Sequence, residues 1–339
     1  MKYLTFASKQ DMRDPCLGAL INETIVDLAE LRTWAQGARF IPSEDLPESM
    51  IGLIFAGSEA WDYVSKLVRA LEGEDPLSLK GAHRKPVGYP MEEVILYPPL
   101  PNPESLRDFF AFEGHVRNVY AIRGKEIPAE WYEFPTFYYS NPHAMYGSGS
   151  IIPYPQNSQA MDFELEVACV IGKAGRDISP EQALEYIFGF TIFNDWSARD
   201  LQRKEMRVGL GPTKSKDFAS SIGPWIATPD ELEKNSTDRP GVYDLEMRAR
   251  LNGEEKTRGN WQDIHYSFGD LIAHASRDVF LVPGDIIGSG TVGNGSLLEI
   301  TNGDGPWLKP GDRVELEIDG LGVLSNQVGA GTGHFRDDT

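Results

Sequence analysis

The 339-residue chain is 41% hydrophobic, 24% charged and 11% aromatic, enough apolar material for a large core and too much for a disordered chain. Its 32 basic and 51 acidic residues give a net charge of −19, which repels phosphate backbones and anionic lipid. Nucleic acid and membrane are therefore poor partners, whereas a small anion held through a cation and a few arginines remains open. From the N-terminus, Lys2 to Ala7 alternates as a strand, and Ala19 to Leu28 reads as a second strand bending at Asn22-Glu23. Leu28 to Gln36 and Ala60 to Leu71 carry helical periodicity. The loop Tyr97-Pro98-Pro99-Leu100-Pro101-Asn102-Pro103 breaks both patterns. It predicts a boundary between a small α/β unit, residues 1–100, and a larger mostly β unit, residues 101–339.

In the second unit, Phe163 to Ile171 and Phe190 to Asp195 read as strands, with a short helix over Pro180 to Phe188 between them. Val242 to Leu251 predicts a hairpin through Asn252-Gly253. Ser267 to Ser276 reads as one helix. Val282-Pro283-Gly284-Asp285 and Leu308-Lys309-Pro310-Gly311-Asp312 each launch a strand from a tight turn. The pattern fits a closed or rolled antiparallel sheet better than alternating βαβ units. Cys16 and Cys169 form neither a disulfide framework nor a metal pattern. No apolar run approaches a membrane span and the N-terminus does not read as a signal peptide, so a cytoplasmic setting is expected.

Chemistry concentrates in the acidic run Asp162-Phe163-Glu164-Leu165-Glu166. In a strand Asp162, Glu164 and Glu166 share one face, and side-by-side carboxylates among apolar neighbours need a cation or protons. An exposed acidic edge strand is the ordinary alternative. A second apolar strand ending at Asp195 tips the balance, because the two together present three carboxylates to one hard cation. All-oxygen ligands suit Mg²⁺, Ca²⁺ or Mn²⁺ and not zinc. The glycine pairs Gly288-Ser289-Gly290 and Gly293-Asn294-Gly295 read as tight turns, since a phosphate cradle would need a Gly-Lys-Ser/Thr ending.

Asp162 to Glu166, Asn194-Asp195-Trp196-Ser197-Ala198-Arg199-Asp200, Leu210-Gly211-Pro212, Lys216-Asp217-Phe218, Gly223-Pro224-Trp225 and Pro283 to Thr291, in that order, resemble the fumarylacetoacetate hydrolase family over about residues 105 to 330. The resemblance implies a mixed β-roll or β-sandwich catalytic domain, a small α/β N-terminal domain, a lid over about 116–140 and a homodimer. It also implies a divalent cation on Asp108, Glu164, Glu166 and Asp195, with Mg²⁺ first and Ca²⁺ or Mn²⁺ as alternatives. Asp108 then takes the place that face-counting gives to Asp162.

His115 stands seven residues after Asp108 and is the implied general base. The glutamate that orients it in the hydrolase branch falls at Glu299, eight residues after Thr291. His83, His143, His265, His274 and His334 have no such neighbourhood and read as structural. Lys216 matches the polarising lysine, and Arg123, Tyr138, Arg199, Gln202 and Thr291 match substrate-binding positions. Decarboxylase and tautomerase branches often carry glutamate three residues after the histidine, where this chain has Asn118. Met206 stands where the hydrolase motif has tyrosine. The implied reaction is hydrolysis of a carbon–carbon bond in a β-diketo acid. A decarboxylase, tautomerase or dehydratase of 2-oxo acids on the same scaffold is the alternative, and a non-catalytic Ca²⁺-binding β module the remote one.

Overall fold

A computed structural model describes residues 1–10, 15–39, 44, 46–82 and 84–331. His83 and His334 lie outside them. Two sheets organise the chain. The larger runs in the order Gly88–Pro90, Thr24–Asp27, Cys16–Ile21, Lys2–Ser8, Ser220–Ala227, Ile187–Asp195, Leu165–Ile171, Ile286–Gly288, Leu106–Phe109, Phe137–Tyr139. Most pairs are antiparallel, but Ile286–Gly288 runs parallel to Leu106–Phe109, so the sheet is mixed. The second sheet runs Glu254–Asn260, Glu246–Leu251, Arg313–Ile318, Gly322–Gly331, Ile151–Tyr154. With helices of both units around it, this is the β-rich architecture with a smaller α/β N-terminal part that the sequence predicts.

Several local expectations hold. The hairpin turns at Asn252, whose φ of 54° is the left-handed geometry that Asn-Gly supplies. Ser267 caps the helix Phe268–Ala275 in a reciprocal capping box with Asp270. Two expectations change. Ala19 to Leu28 is not one bent strand: Cys16–Ile21 and Thr24–Asp27 form a hairpin, with φ of 45° at Asn22 and 66° at Glu23. Two left-handed residues reverse the chain, and Leu28 opens the helix Leu28–Ala38, capped by Asp27. Pro180 starts a 3₁₀ segment ending at Tyr186, and the strand begins at Ile187.

The strand Leu165–Ile171 is buried at all seven positions. Leu165, Val167, Cys169 and Ile171 face the core that holds Phe190, Trp261 and Phe268. Ala168 and Val170 face the core that the N-terminal helices Leu28–Ala38 and Ser58–Arg69 cover. Burying such side chains contributes about 1.5–3 kcal/mol each. The strand that carries Glu166 is thus packed on both faces, and its carboxylate cannot reach bulk water. Lys2–Ser8 hydrogen-bonds Ser220–Ala227, so the sheet continues across Tyr97–Pro103, which we keep as a proposed division of the sequence.

Candidate active site

A cavity of about 340 Å³ at one end of the large sheet is lined by every predicted site residue except Asp195 and Glu299, and those two stand directly behind it. Asp108 comes from the strand Leu106–Phe109, and His115 from the helix Glu113–Ile122 that follows it. Glu166 lies near the start of Leu165–Ile171, and Asp195 ends the strand beside it. Gly288 sits opposite Asp108 in the parallel pair. A Cβ there would stand 2.5 Å from Asp108 Oδ1, so glycine leaves room for the carboxylate.

Asp108, Glu166 and Asp195 each place an oxygen within 4.8 Å of the other two, and all three are buried. Burial, and then the Asp195 charge, pushes the Asp108 carboxyl well above the usual range. Burial followed by Asp108, Glu164 and Asp195 does the same to Glu166. Asp195 is also raised, burial outweighing the Lys216 ammonium. Glu166 Oε2 and Asp195 Oδ1 are buried without a hydrogen-bond donor among the described residues. Orphaned oxygens in an all-carboxylate cluster fit a hard divalent cation, which would satisfy them and discharge the repulsion.

Glu164 is held differently. Lys216 Nζ bridges Glu164 Oε2 and Asp195 Oδ2, and Arg199 Nη2 donates to Glu164 Oε1 at 2.8 Å. Burial raises this carboxyl, but Lys216, Arg199 and His115 overcome it and hold it well below the usual range. Lys216 is raised in turn, since Asp195 and Glu164 outweigh its burial. The remaining donors of Arg199 reach Asp162 Oδ2 at 2.8 Å and Gln202 Oε1 at 3.1 Å. Tyr138 donates its hydroxyl to Asp195, and Thr291 Oγ1 lies 3.3 Å from Glu166 Oε1. Arg123 borders the cavity near Arg199 and Tyr120.

The expected run of three carboxylates on one strand face does not form. Met161–Asp162 pairs with Ser197–Ala198, Glu164 makes an isolated bridge to Ser296, and the continuous strand starts at Leu165. Asp162 turns away from the trio. It accepts from the backbone N–H groups of Leu297 and Leu298, at 2.8 and 3.0 Å, and from Arg199. It therefore anchors a loop and an arginine.

His115 is buried, with the ring of Phe110 edge-on at 5.3 Å. Its Nδ1 lies 2.7 Å from Glu299 Oε2, and its Nε2 points towards Glu164 Oε1 at 3.8 Å. Although burial raises the Glu299 carboxyl, His115, Asn118 and Ser296 bring it below its usual value. Ser296 Oγ donates to Glu299 Oε2 at 2.8 Å, and the Asn294 backbone N–H donates to Oε1 at 2.9 Å. Sequence reasoning missed Asn294 and Ser296 as supports of Glu299. Ser296-Leu297-Leu298-Glu299 is a helix-capping spacing that could have exposed the second. Away from the cavity, His265 packs on Trp131 at 4.9 Å between ring centroids, and His274 stacks on Phe134 at 5.9 Å.

The chain is 30% identical over 332 residues to the oxaloacetate tautomerase YisK of Bacillus subtilis, covering 96% of this chain and all of that protein. It is 30% identical over 329 residues to the fumarylacetoacetase of Arabidopsis thaliana, covering 82% of this chain and 78% of that one. The fold is shared with a fumarylacetoacetate hydrolase from psychrophilic Exiguobacterium antarcticum, at a TM-score of 0.68 and 24% identity over 97% of this chain and 99% of that chain. The model of the fumarylacetoacetate (FAA) hydrolase C-terminal domain matches residues 105–329, which hold the whole carboxylate and histidine cluster just described. The chain belongs to the fumarylacetoacetate hydrolase family.

Proposed function

We propose that the protein is a metal-dependent hydrolase that cleaves a carbon–carbon bond in a β-diketo acid of the fumarylacetoacetate or acylpyruvate type. The observation that carries this reading is the pairing of His115 Nδ1 with Glu299 at 2.7 Å. A glutamate that accepts from Nδ1 fixes the tautomer and leaves Nε2 free to act as a base. Asp108, Glu164, Glu166 and Asp195 would hold the cation, with Mg²⁺ the first choice by resemblance. When bound, such an ion supplies Lewis acidity towards the two oxygens of a chelating substrate.

In the proposed reaction His115 Nε2 takes a proton from water, and the hydroxide oxygen adds to the acyl carbonyl. The bond from that carbon to the neighbouring methylene then breaks. Its electron pair leaves as an enolate, which recovers a proton to give the keto acid, while the acyl fragment departs as a carboxylic acid. Lys216 faces the developing enolate charge, and Arg123 and Arg199, with Tyr138, Gln202 and Thr291, are the proposed contacts for the substrate carboxylate and oxyanion. By resemblance the active form is a homodimer.

A tautomerase or decarboxylase acting on a 2-oxo acid is the second reading, favoured by the similarity to the oxaloacetate tautomerase along its whole length. Product analysis separates them. Acylpyruvates and diketo acids are incubated with Mg²⁺ or Mn²⁺, loss of diketone absorbance is followed and the products are identified. Hydrolysis yields two acids from one diketone, and His115→Ala should abolish it while sparing cation binding. Evolution of CO₂, an isomer as sole product, or full turnover by His115→Ala would overturn the proposal.

A further inference from the structure

The helix Glu113–Ile122 offers Glu299 two side chains from one face, because His115 and Asn118 stand one turn apart. His115 approaches Oε2, as described. Asn118 Nδ2 donates to Oε1 at 3.0 Å and to the side-chain oxygen of Asn294 at 3.1 Å. Asn294 is left-handed, with φ of 62°, a conformation that a short polar side chain tolerates. In that conformation it turns its own N–H onto the same Oε1. The two oxygens are thereby divided. Oε1 is filled by Asn118 and the Asn294 backbone, whereas Oε2 accepts from Ser296 and lies 2.7 Å from His115 Nδ1.

The backbones meet at the same point. A Cβ on Gly114 would stand 3.4 Å from the Cα of Gly293, and one on Gly293 would stand 3.5 Å from the Cα of Gly114. Both are van der Waals distances, so the first turn of the helix rests directly on the turn that presents Asn294. Asn118 is half-buried at the edge of this contact and belongs to neither the carboxylate cluster nor the cavity lining.

We propose that Asn118 is a positioning residue: its amide clasps Oε1 of Glu299 together with Asn294, so that the carboxylate cannot rotate and Oε2 stays aimed at His115. A free carboxylate could turn about its last bond and offer His115 either oxygen or neither, and the base would lose its fixed tautomer. The inference rests on the reading of His115 and Glu299 as a dyad, but it does not depend on which bond of the substrate is broken.

The test is a double-mutant cycle on the full chain with Mg²⁺, using Asn118→Ala, Asn118→Asp, Glu299→Gln and the combinations with Glu299→Gln. Asn118→Ala should lower kcat by about tenfold, as loss of a supporting hydrogen bond does elsewhere, and leave KM unchanged. Asn118→Asp keeps the shape, removes the donor and sets a charge beside Glu299, so it should do at least as much harm. In the Glu299→Gln background Asn118→Ala should add less than about a twofold effect. A benign Asn118→Asp beside a damaged Asn118→Ala would mean that Asn118 only fills space, and full additivity with Glu299→Gln would mean that it acts elsewhere. Either result overturns the proposal. Thermal melts of the same proteins read the Asn118–Glu299 coupling without turnover, and zero coupling there is equally fatal. If the products are those of a tautomerase, the hydrolytic reading fails while the cycle still decides the role of Asn118.

Discussion

Removing all divalent cation and raising the pH from about 5.5 to about 7.5, above the ordinary carboxylate range, should destabilise the protein. Burial and then the Asp195 charge hold Asp108 well above that range, and burial followed by the charges of Asp108, Glu164 and Asp195 does the same to Glu166. In the unfolded chain both titrate near about 4. Between those limits the folded state binds protons that the unfolded state has lost, so stability is full below the unfolded value and falls as pH rises towards the folded one. The slope is about 1.4 kcal/mol per pH unit for each retained proton. At about 2 °C per kcal/mol, the low end for larger domains, each proton lowers Tm by about 3 °C per unit. Glu164 and Glu299 shift the opposite way. Their stabilisation is complete above the unfolded value and is lost only on acidification, so they add nothing to this slope. The assay is calorimetry of EDTA-treated protein across the pH series, alongside Glu166→Gln and both proteins with excess Mg²⁺. Mg²⁺ should flatten the decline, because an ion bound only to the folded, deprotonated cluster stabilises it by mass action. Glu166→Gln should flatten it too and blunt the response to Mg²⁺. A metal-free wild type whose Tm rises with pH, in parallel with Glu166→Gln, would refute the reasoning.

Gly288→Ala places a methyl group 2.5 Å from Asp108 Oδ1, so the carboxylate must move and Mg²⁺ affinity should drop by about tenfold or more, read by calorimetric titration. Asp162→Asn leaves Arg199 buried with one carboxylate partner in place of two. Breaking a buried pair costs about 3–5 kcal/mol, and urea unfolding should register most of it.

Much of the fold was legible because apolar alternation and turn chemistry are local signals. The Asn252-Gly253 hairpin, the Ser267 cap and the launching turns before Ile286 and Arg313 stand where the sequence puts them. The break between Asp162 and Leu165 was not legible. It arises because Asp162 bonds to the N–H groups of Leu297 and Leu298, about 135 residues away, and no local pattern records such a partner. The grip of Asn118 on Glu299 is distant in the same sense, spanning 181 residues. Sequence did disclose the family motifs, and through them the pairing of Asp108 with Glu166 and Asp195 that face-counting missed. It could not say that Glu164 would be claimed by Lys216 and Arg199.

That claim divides the site electrostatically. Two of the four proposed ligands, Glu164 and Asp195, share the buried ammonium of Lys216, and Glu164 also takes a guanidinium nitrogen of Arg199. Asp108 and Glu166 receive neither, and it is these two whose carboxyls are driven furthest from ionisation. Asp108 and Glu166 are thus the carboxyls that lack a directly bonded cationic partner, and a cation bound to them would favour their ionised form without displacing an existing pair. In the proposed reaction such a division would let a protein of net charge −19 admit an anionic keto acid. The cation would cancel the carboxylates that repel such a substrate, and Arg123 at the cavity wall forms no ion pair with a carboxylate among the described residues, which leaves it open to one.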